Sequence, residues 1–421
     1  MAKKKAEKPK REFTKQQLSR WQQQKKRQRI ILGVGITIIV AVVVTVITGW
    51  YSNHYKPLHE TVIKVNNTKF DMNYYVKTLK LYGEGLPSNY IYYLADSVVK
   101  DIEENELVRQ AAEKLGIAVS DDAVYEELKS RNPPLSEDYK DLMRAEMLKE
   151  KLRDEYFDPE VPQFAEQRHI MAMFMESESQ AAEVRAKLEA GEDFAQLAKE
   201  LSLESLSKEK EGDFGWRPKD ALTILLNTSL LDEYAFGAEI GVLSPPIYDE
   251  ARAKNVGYWI VKISERKEDS GEVHVHGMLL GSAEEAKSVK ARLEAGEDFA
   301  ELAGELSQND SSKINNGDLG WLPEGMIPAI DDFVYNPELE VEKLSEPIRD
   351  DTATTQGGYW LVKVSEIDGN RQIDDENRNL LKTKVFDEWV ASLWDNSENK
   401  VDHSYLTQER KAWAIQKAME S

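Results

Sequence analysis

The 421-residue sequence contains no cysteine, which removes disulfides, thiolate nucleophiles, cysteine-ligated metals and a lipid-modified N-terminal cysteine from consideration. It also lacks a Ser-His-Asp arrangement, a phosphate-binding glycine loop and an HExxH motif. Positive charge is scarce beyond the N-terminus. Residues 1–29 carry twelve Lys/Arg against two Asp/Glu, whereas the remaining chain carries 43 against 74, a net charge of −31. So acidic a body repels nucleic-acid phosphates and anionic headgroups, and nucleic-acid binding is excluded as a main function. Neutral or basic polypeptides remain admissible partners.

Between the two charge regimes lies IILGVGITIIVAVVVTVITGW, Ile30 to Trp50, twenty-one residues without a charge. At about 1.5 Å rise per residue, such a helix spans the ~30 Å hydrocarbon core of a bilayer. The run exceeds the roughly 7–15 apolar residues of a signal peptide, and it ends on Trp50-Tyr51, residues suited to a membrane interface. Lys25, Lys26, Arg27 and Arg29 abut its start. The positive-inside rule then places residues 1–29 in the cytoplasm, a transmembrane helix at 30–50, and the bulk of the chain outside the membrane.

The external part repeats itself. RAKLEAGEDFAQLAKELS at 185–202 matches KARLEAGEDFAELAGELS at 290–307, and GDFGW at 212–216 matches GDLGW at 317–321, both at an offset of 105. VGYWIVKI at 256–263 and GGYWLVKV at 357–364 follow in the same order. Each copy reads as strand, helix, helix, glycine turn and final strand over domain length, not solenoid-repeat length. In the final strand Trp259, Val261 and Ile263 face one way and Tyr258, Ile260 and Lys262 the other, with Trp360, Val362 and Val364 repeating the first set. Both tryptophans are therefore expected to pack in the core of a small α+β domain. Ahead of the repeats, Ile91, Leu94, Ala95, Val98 and Ile102 trace a helical stripe, and behind them Leu381, Val385, Trp389 and Leu393 trace another. Neither flank is self-sufficient, so the C-terminal helix is expected to pack on the N-terminal ones.

These words in this order resemble parvulin-type peptidyl-prolyl isomerase domains, and the whole chain resembles foldases of the SurA and PrsA type. The resemblance rests on RHI at 168–170, VHG at 275–277, the two LEAGEDF helices, GDFGW and GDLGW, GMIP at 325–328 and the two GYW strands. KVNNTKF, LGIAVSDDAV and FDEWVASL resemble the chaperone module that brackets such domains. It implies an α+β chain: a basic cytoplasmic tail 1–29, a transmembrane helix 30–50, a helical SurA-N-like chaperone domain 51–160, parvulin-like domains 161–268 and 269–368, and a helical segment 369–421 packing on the chaperone domain.

The resemblance also implies a site in each copy. The family's first-strand histidine is matched by His169 and His276, and its Asp or Cys after the second helix by Glu204 and Asn309. The proline pocket's Met and Phe are matched by Met326 and Ile330 in the second copy. In the first copy, whose segment is six residues longer, those positions fall near Asn227 and Leu231. Phe236 and Tyr335 match a further pocket aromatic, and Trp259 and Trp360 stand where the family often has a second histidine. The second copy is expected to be the better catalyst and the first a binding module. His274 and His276 share a strand face without an evident third ligand, so neither metal nor cofactor is expected. Two functions stay open: an isomerase acting on unfolded or proline-containing polypeptides, and a non-catalytic holdase chaperone whose altered parvulin domains bind peptide.

Overall fold

The computed structural model describes residues 15–87, 90–267 and 270–420, so the first part of the basic tail lies outside the described residues. A single helix covers Lys15–Trp50. Its stretch Leu32–Trp50, of mean hydropathy 2.5, has none of its apolar window buried and fits a signal anchor. The hydroxyls of Thr37 and Thr45 donate to the carbonyls of Gly33 and Ala41, four residues back, so these polar groups need no water inside an apolar layer.

Eleven strands follow among the described residues: β1 (Thr61–Val65), β2 (Thr68–Asp71), β3 (Phe164–Met175), β4 (Asp213–Pro218), β5 (Ile247–Lys254), β6 (Gly257–Arg266), β7 (Val273–Leu280), β8 (Asp318–Leu322), β9 (Ile348–Asp350), β10 (Thr355–Gln372) and β11 (Val401–Asp402). They belong to two compact units, one formed by the chain up to Lys149 together with the part from Trp389 onward, the other by Glu150–Glu388.

In the first unit β1 and β2 form a hairpin that turns at Asn66, a residue type that tolerates the left-handed φ of 54° found there. Asp71 then caps the helix Met72–Gly83 by accepting from the Tyr74 amide. That helix and Tyr90–Lys114 bury Tyr75, Leu79, Val98 and Ile102, and the chain's far end closes the core. β11 pairs with β1, and Leu406, Ala414, Ile415 and Ala418 of the C-terminal segment join the same cluster. Of the C-terminal stripe read from the sequence, Leu393 lies against this core, but the deeper residues come from the last helix, Gln408–Met419.

The second unit holds two four-stranded antiparallel sheets, ordered β4-β3-β10-β5 and β8-β7-β6-β9. The repeats supply their strands in the expected order, but the closing strands are exchanged. β6, which ends the first repeat, pairs with β7 and β9 of the second (Trp259 opposite Leu279), while β10, which ends the second, pairs with β3 and β5 of the first (Trp360 opposite Phe174). The sheets therefore do not follow the sequence boundary at 268/269: the whole second sheet is inserted between β5 and β10 of the first. GYWIVKI and GYWLVKV are nearly interchangeable, so each suits either slot.

The crossing is stitched locally. Lys254 Nζ donates to the carbonyls of Gln356, at 3.1 Å, and Gly357, and Thr355 Oγ1 donates to the Val256 carbonyl. Gly358 is required here, because a Cβ would lie 2.4 Å from the Phe174 ring and 2.6 Å from the Met175 carbonyl. Each sheet is covered on both faces. In the first sheet Met173, Met175 and Leu361 bury the repeat's paired helices Glu178–Glu189 and Phe194–Leu201. Its opposite face puts Ala172, Phe174, Trp360 and Val362 against the short helices Ala221–Leu226 and Leu230–Ala235.

Candidate functional site

Each candidate site is organised by a tryptophan of an exchanged strand. Trp360 is fully buried and its indole nitrogen donates to Asp249 Oδ2 at 3.0 Å; Trp259 makes the same bond, at the same length, to Asp350 Oδ2. Because of the exchange, each bond joins one repeat to the other. Burial alone would raise the Asp350 carboxyl, but donors from Thr352, Trp259 and the Thr352 and Ala353 amides hold it below its ordinary value. The indole donors are thus committed to structural carboxylates.

In the second sheet Trp259 shares a cluster with Ile330, Val334, Leu322 and Tyr335, whose hydroxyl donates to the Leu322 carbonyl at 2.6 Å. Met326 is 64% exposed and stands apart. Asn309 caps the helix Asp310–Ile314, accepting from the Ser312 amide at 2.9 Å. Trp360, which the repeats' order assigns to this site, lies in the other sheet, and Trp259 takes its place.

His276 does not join them. Strand alternation sends Val273, Val275 and Leu279 to the Trp259 face, while His276 goes with Met278 and Leu280 to the face of the paired helices, its ring 6.4 Å from Phe299. The residue of β7 that lies against Trp259 is Gly277. A Cβ at that glycine would sit 2.8 Å from Leu319 Cδ1, 3.1 Å from Val261 Cγ1 and 3.5 Å from the Trp259 ring, so the indole and its neighbours fill the space a first-strand side chain needs. In the first sheet Ala172, fully buried in the Trp360 cluster, holds the same position.

The pairing of His169 with His276 also needs correction. His169 is equivalent to His274: the Nδ1 of each lies 2.7 Å from a serine hydroxyl, Ser365 or Ser264, and the Nε2 of each lies 3.4 or 3.3 Å from Asp213 or Asp318. Met171 stands where the second repeat has His276, each opposite the aspartate of the glycine turn. Sequence reading missed this because it matched RHI to VHG and not the residues at the common offset of 105.

In the first sheet Leu231 is buried and Phe236 half-buried in the Trp360 cluster, with the Arg168 guanidinium 5.1 Å from the Phe236 ring centre. Glu204 caps its own short helix by accepting from the Ser207 amide, and pairs at 2.8 Å with Arg252, which lies over the Trp360 ring. Asn227 ends the helix Ala221–Leu226 in the left-handed region and serves the backbone. One residue escaped sequence reading altogether. Asp232, beside Leu231, is buried, with Oδ2 accepting from the Thr223 amide and hydroxyl at 2.7 Å and Oδ1 unpartnered. Burial raises its carboxyl above the ordinary value against those two bonds.

In both arrangements the indole donor is bonded to a carboxylate, and both keep the packing surfaces of the repeat. Models of the PPIC-type PPIase domain match residues 169–265 and 258–368, and a model of the SurA-like N-terminal domain matches residues 19–155. Together these matches support a SurA/PrsA-like parvulin organisation for the chain. Both parvulin matches include residues 258–265, the strand that ends one repeat in sequence and lies in the other's sheet. A chaperone SurA of Chromohalobacter salexigens is 29% identical over 238 residues, covering 51% of this chain and 51% of that protein. One from Pseudomonas aeruginosa is 30% identical over 243 residues, 52% and 53% respectively. A foldase protein PrsA of Halalkalibacterium halodurans is 33% identical over 118 residues, 28% of this chain and 34% of the relative. The chain thus spans about half the length of the SurA relatives it matches.

The SurA-like module has a groove of its own, about 220 Å³, floored by Phe70, Tyr74, Ile102 and Leu148 and rimmed by Glu106, Arg109, Asp141 and Arg144. Nearby in sequence Tyr90, Tyr92 and Tyr93 expose 51 to 77% of their surface.

Proposed function

We propose that this chain is a membrane-anchored extracytoplasmic foldase of the parvulin peptidyl-prolyl isomerase family, and that it assists polypeptides by holding them more than by isomerising their X-Pro bonds. The holding role is supported by the Trp259 ring, 3.5 Å from where a Cβ of Gly277 would lie, and by Trp360, buried in one cluster with Ala172. An X-Pro bond turns over a barrier of roughly 20 kcal/mol, and a thousandfold acceleration requires about 4 kcal/mol of preferential binding to the twisted amide. Here the indole donors are spent on Asp249 and Asp350, and His276 faces the opposite layer. Holding needs only exposed apolar surface beside polar groups, which the groove at Phe70, Tyr74 and Leu148 and the tyrosines of 90–93 offer.

The basic flank at Lys25–Arg29 and the acidic body support a cytoplasmic N-terminus with residues beyond about 50 outside, single-pass. Protease added to intact, outer-layer-permeabilised cells is expected to digest both repeats and spare the tail. Repeats protected until the membrane is dissolved would overturn the placement. With the full chain in detergent, replacing Tyr92 and Tyr93 by Ser is expected to weaken suppression of aggregation of a reduced, unfolded model protein, and unchanged suppression would remove these residues from the holding surface.

A further inference from the structure

We propose that His274, His276 and Asp318 form a site for one borderline divalent transition cation, of which Zn²⁺ is the natural probe. His274 and His276, two residues apart on β7, project to one face with ring centres 5.4 Å apart. Strand pairing brings in the third ligand that sequence reading lacked: Asp318 opens β8 directly opposite His276. One donor atom from each of the three lies within 4.8 Å of the others, and His274 Nε2 is 3.3 Å from Asp318 Oδ1. Tetrahedral zinc with bonds of about 2.0–2.1 Å sets its ligand atoms roughly 3.3 Å apart, so one edge of the polyhedron is already in place and a side-chain rotation of His276 closes the others. Two imidazoles and one carboxylate are a donor set for such cations and leave a coordination position open to solvent.

The surroundings are those of a ligand set. Ser264 Oγ, 2.7 Å from His274 Nδ1, orients that ring and leaves Nε2 for the cation, and the Gly320 amide donates to Asp318 Oδ1 at 2.8 Å. The His276 side chain makes no hydrogen bond among the described residues and packs beside Phe299. Lys262, which pairs with His276 across β6 and β7, is held by Glu342 at 2.7 Å. The first repeat supplies an internal control. It keeps the histidine, serine and aspartate at matching distances in His169, Ser365 and Asp213, but has Met171 in place of His276. The His–Asp pair is therefore part of the repeat's framework, and His276 is what converts it into a three-ligand site.

The test is calorimetric titration of zinc chloride into the chelator-treated full chain in detergent. One equivalent is expected to bind, and His276→Met, which copies the first repeat, is expected to weaken it by at least about 100-fold, since even outer-shell changes cost about 10–100-fold. Ser264→Ala should fall in that 10–100-fold range. Met171→His should add a second equivalent. Asp318→Asn serves where His276→Met does not fold, with unchanged melting of the zinc-free variants as the control. No saturable uptake by the wild type, or binding by His276→Met and Asp318→Asn as tight as wild type, would overturn the proposal.

Discussion

At the scale of single residues, Trp259 and Trp360 carry the account. Each is a core side chain and a hydrogen-bond donor to a carboxylate contributed by the other repeat. Trp360→His removes a large buried ring and leaves Asp249 short of a donor, so it is expected to cost about 2 to 5 kcal/mol, the range for losing a large core side chain. The loss should fall on the first sheet, although Trp360 ends the second repeat. Hydrogen exchange checks this: β3 and β5 amides are expected to lose protection while β7 and β9 amides keep theirs. Asp232 gives a pH signature. Its folded pKa lies above the ordinary 3.8, so its contribution is fully present below that value and is lost as pH rises through the folded pKa. Asp232→Asn keeps an acceptor for Thr223 without the charge. Its denaturation midpoint should equal or trail the wild type near pH 3.5 and exceed it near pH 7; a variant less stable at both would show that the carboxylate is not strained. The burial of both tryptophans was legible from the alternation of GYWIVKI. The side on which His276 falls was not, because a single-residue error of strand phase exchanges the faces.

At the scale of elements, the central finding is the exchange of β6 and β10. Composition and periodicity identify these strands, but nothing in two near-identical sequences says which sheet each joins; long-range pairing decides that, and the crossing at 254–257 and 350–357 is only a few residues long. The absence of native cysteine makes a direct test possible. Met171 and Lys363 are paired neighbours across β3 and β10. Their Cα atoms should lie about 4.5–5.5 Å apart, inside the disulfide range. The double cysteine variant M171C/K363C is expected to oxidise to an intramolecular disulfide, and M171C/K262C, which would bond only if the first repeat closed on itself, is not. The opposite pattern would show that each repeat keeps its own strand. The same logic explains why no third ligand for His274 and His276 was evident in the sequence. The partnership of Asp318 with them exists only once β7 and β8 pair.

At the scale of the whole chain, the sequence was more informative. The offset of 105 between repeats, the uncharged run before Trp50 and the flanking helices marked a repeated α+β chain with an apolar N-terminal helix, and the resemblance carried by the LEAGEDF, GDFGW and GYW words implied parvulin-like repeats with a SurA-like module. That the C-terminal segment completes the N-terminal core was anticipated from unpartnered stripes, although Leu406, Ala414 and Ile415 contribute more than the stripe itself. What composition could not supply was the state of the two proline pockets, which depends on whether a tryptophan or an open space lies beside Gly277 and Ala172. The most direct measurement is the cis–trans exchange rate of an X-Pro peptide with the full chain in detergent, run beside suppression of aggregation by the same preparation. The account predicts an exchange rate indistinguishable from the uncatalysed one together with effective suppression. A catalysed rate that falls when Ile330 or Tyr335 is replaced by Ala, while suppression stays unchanged, would contradict it.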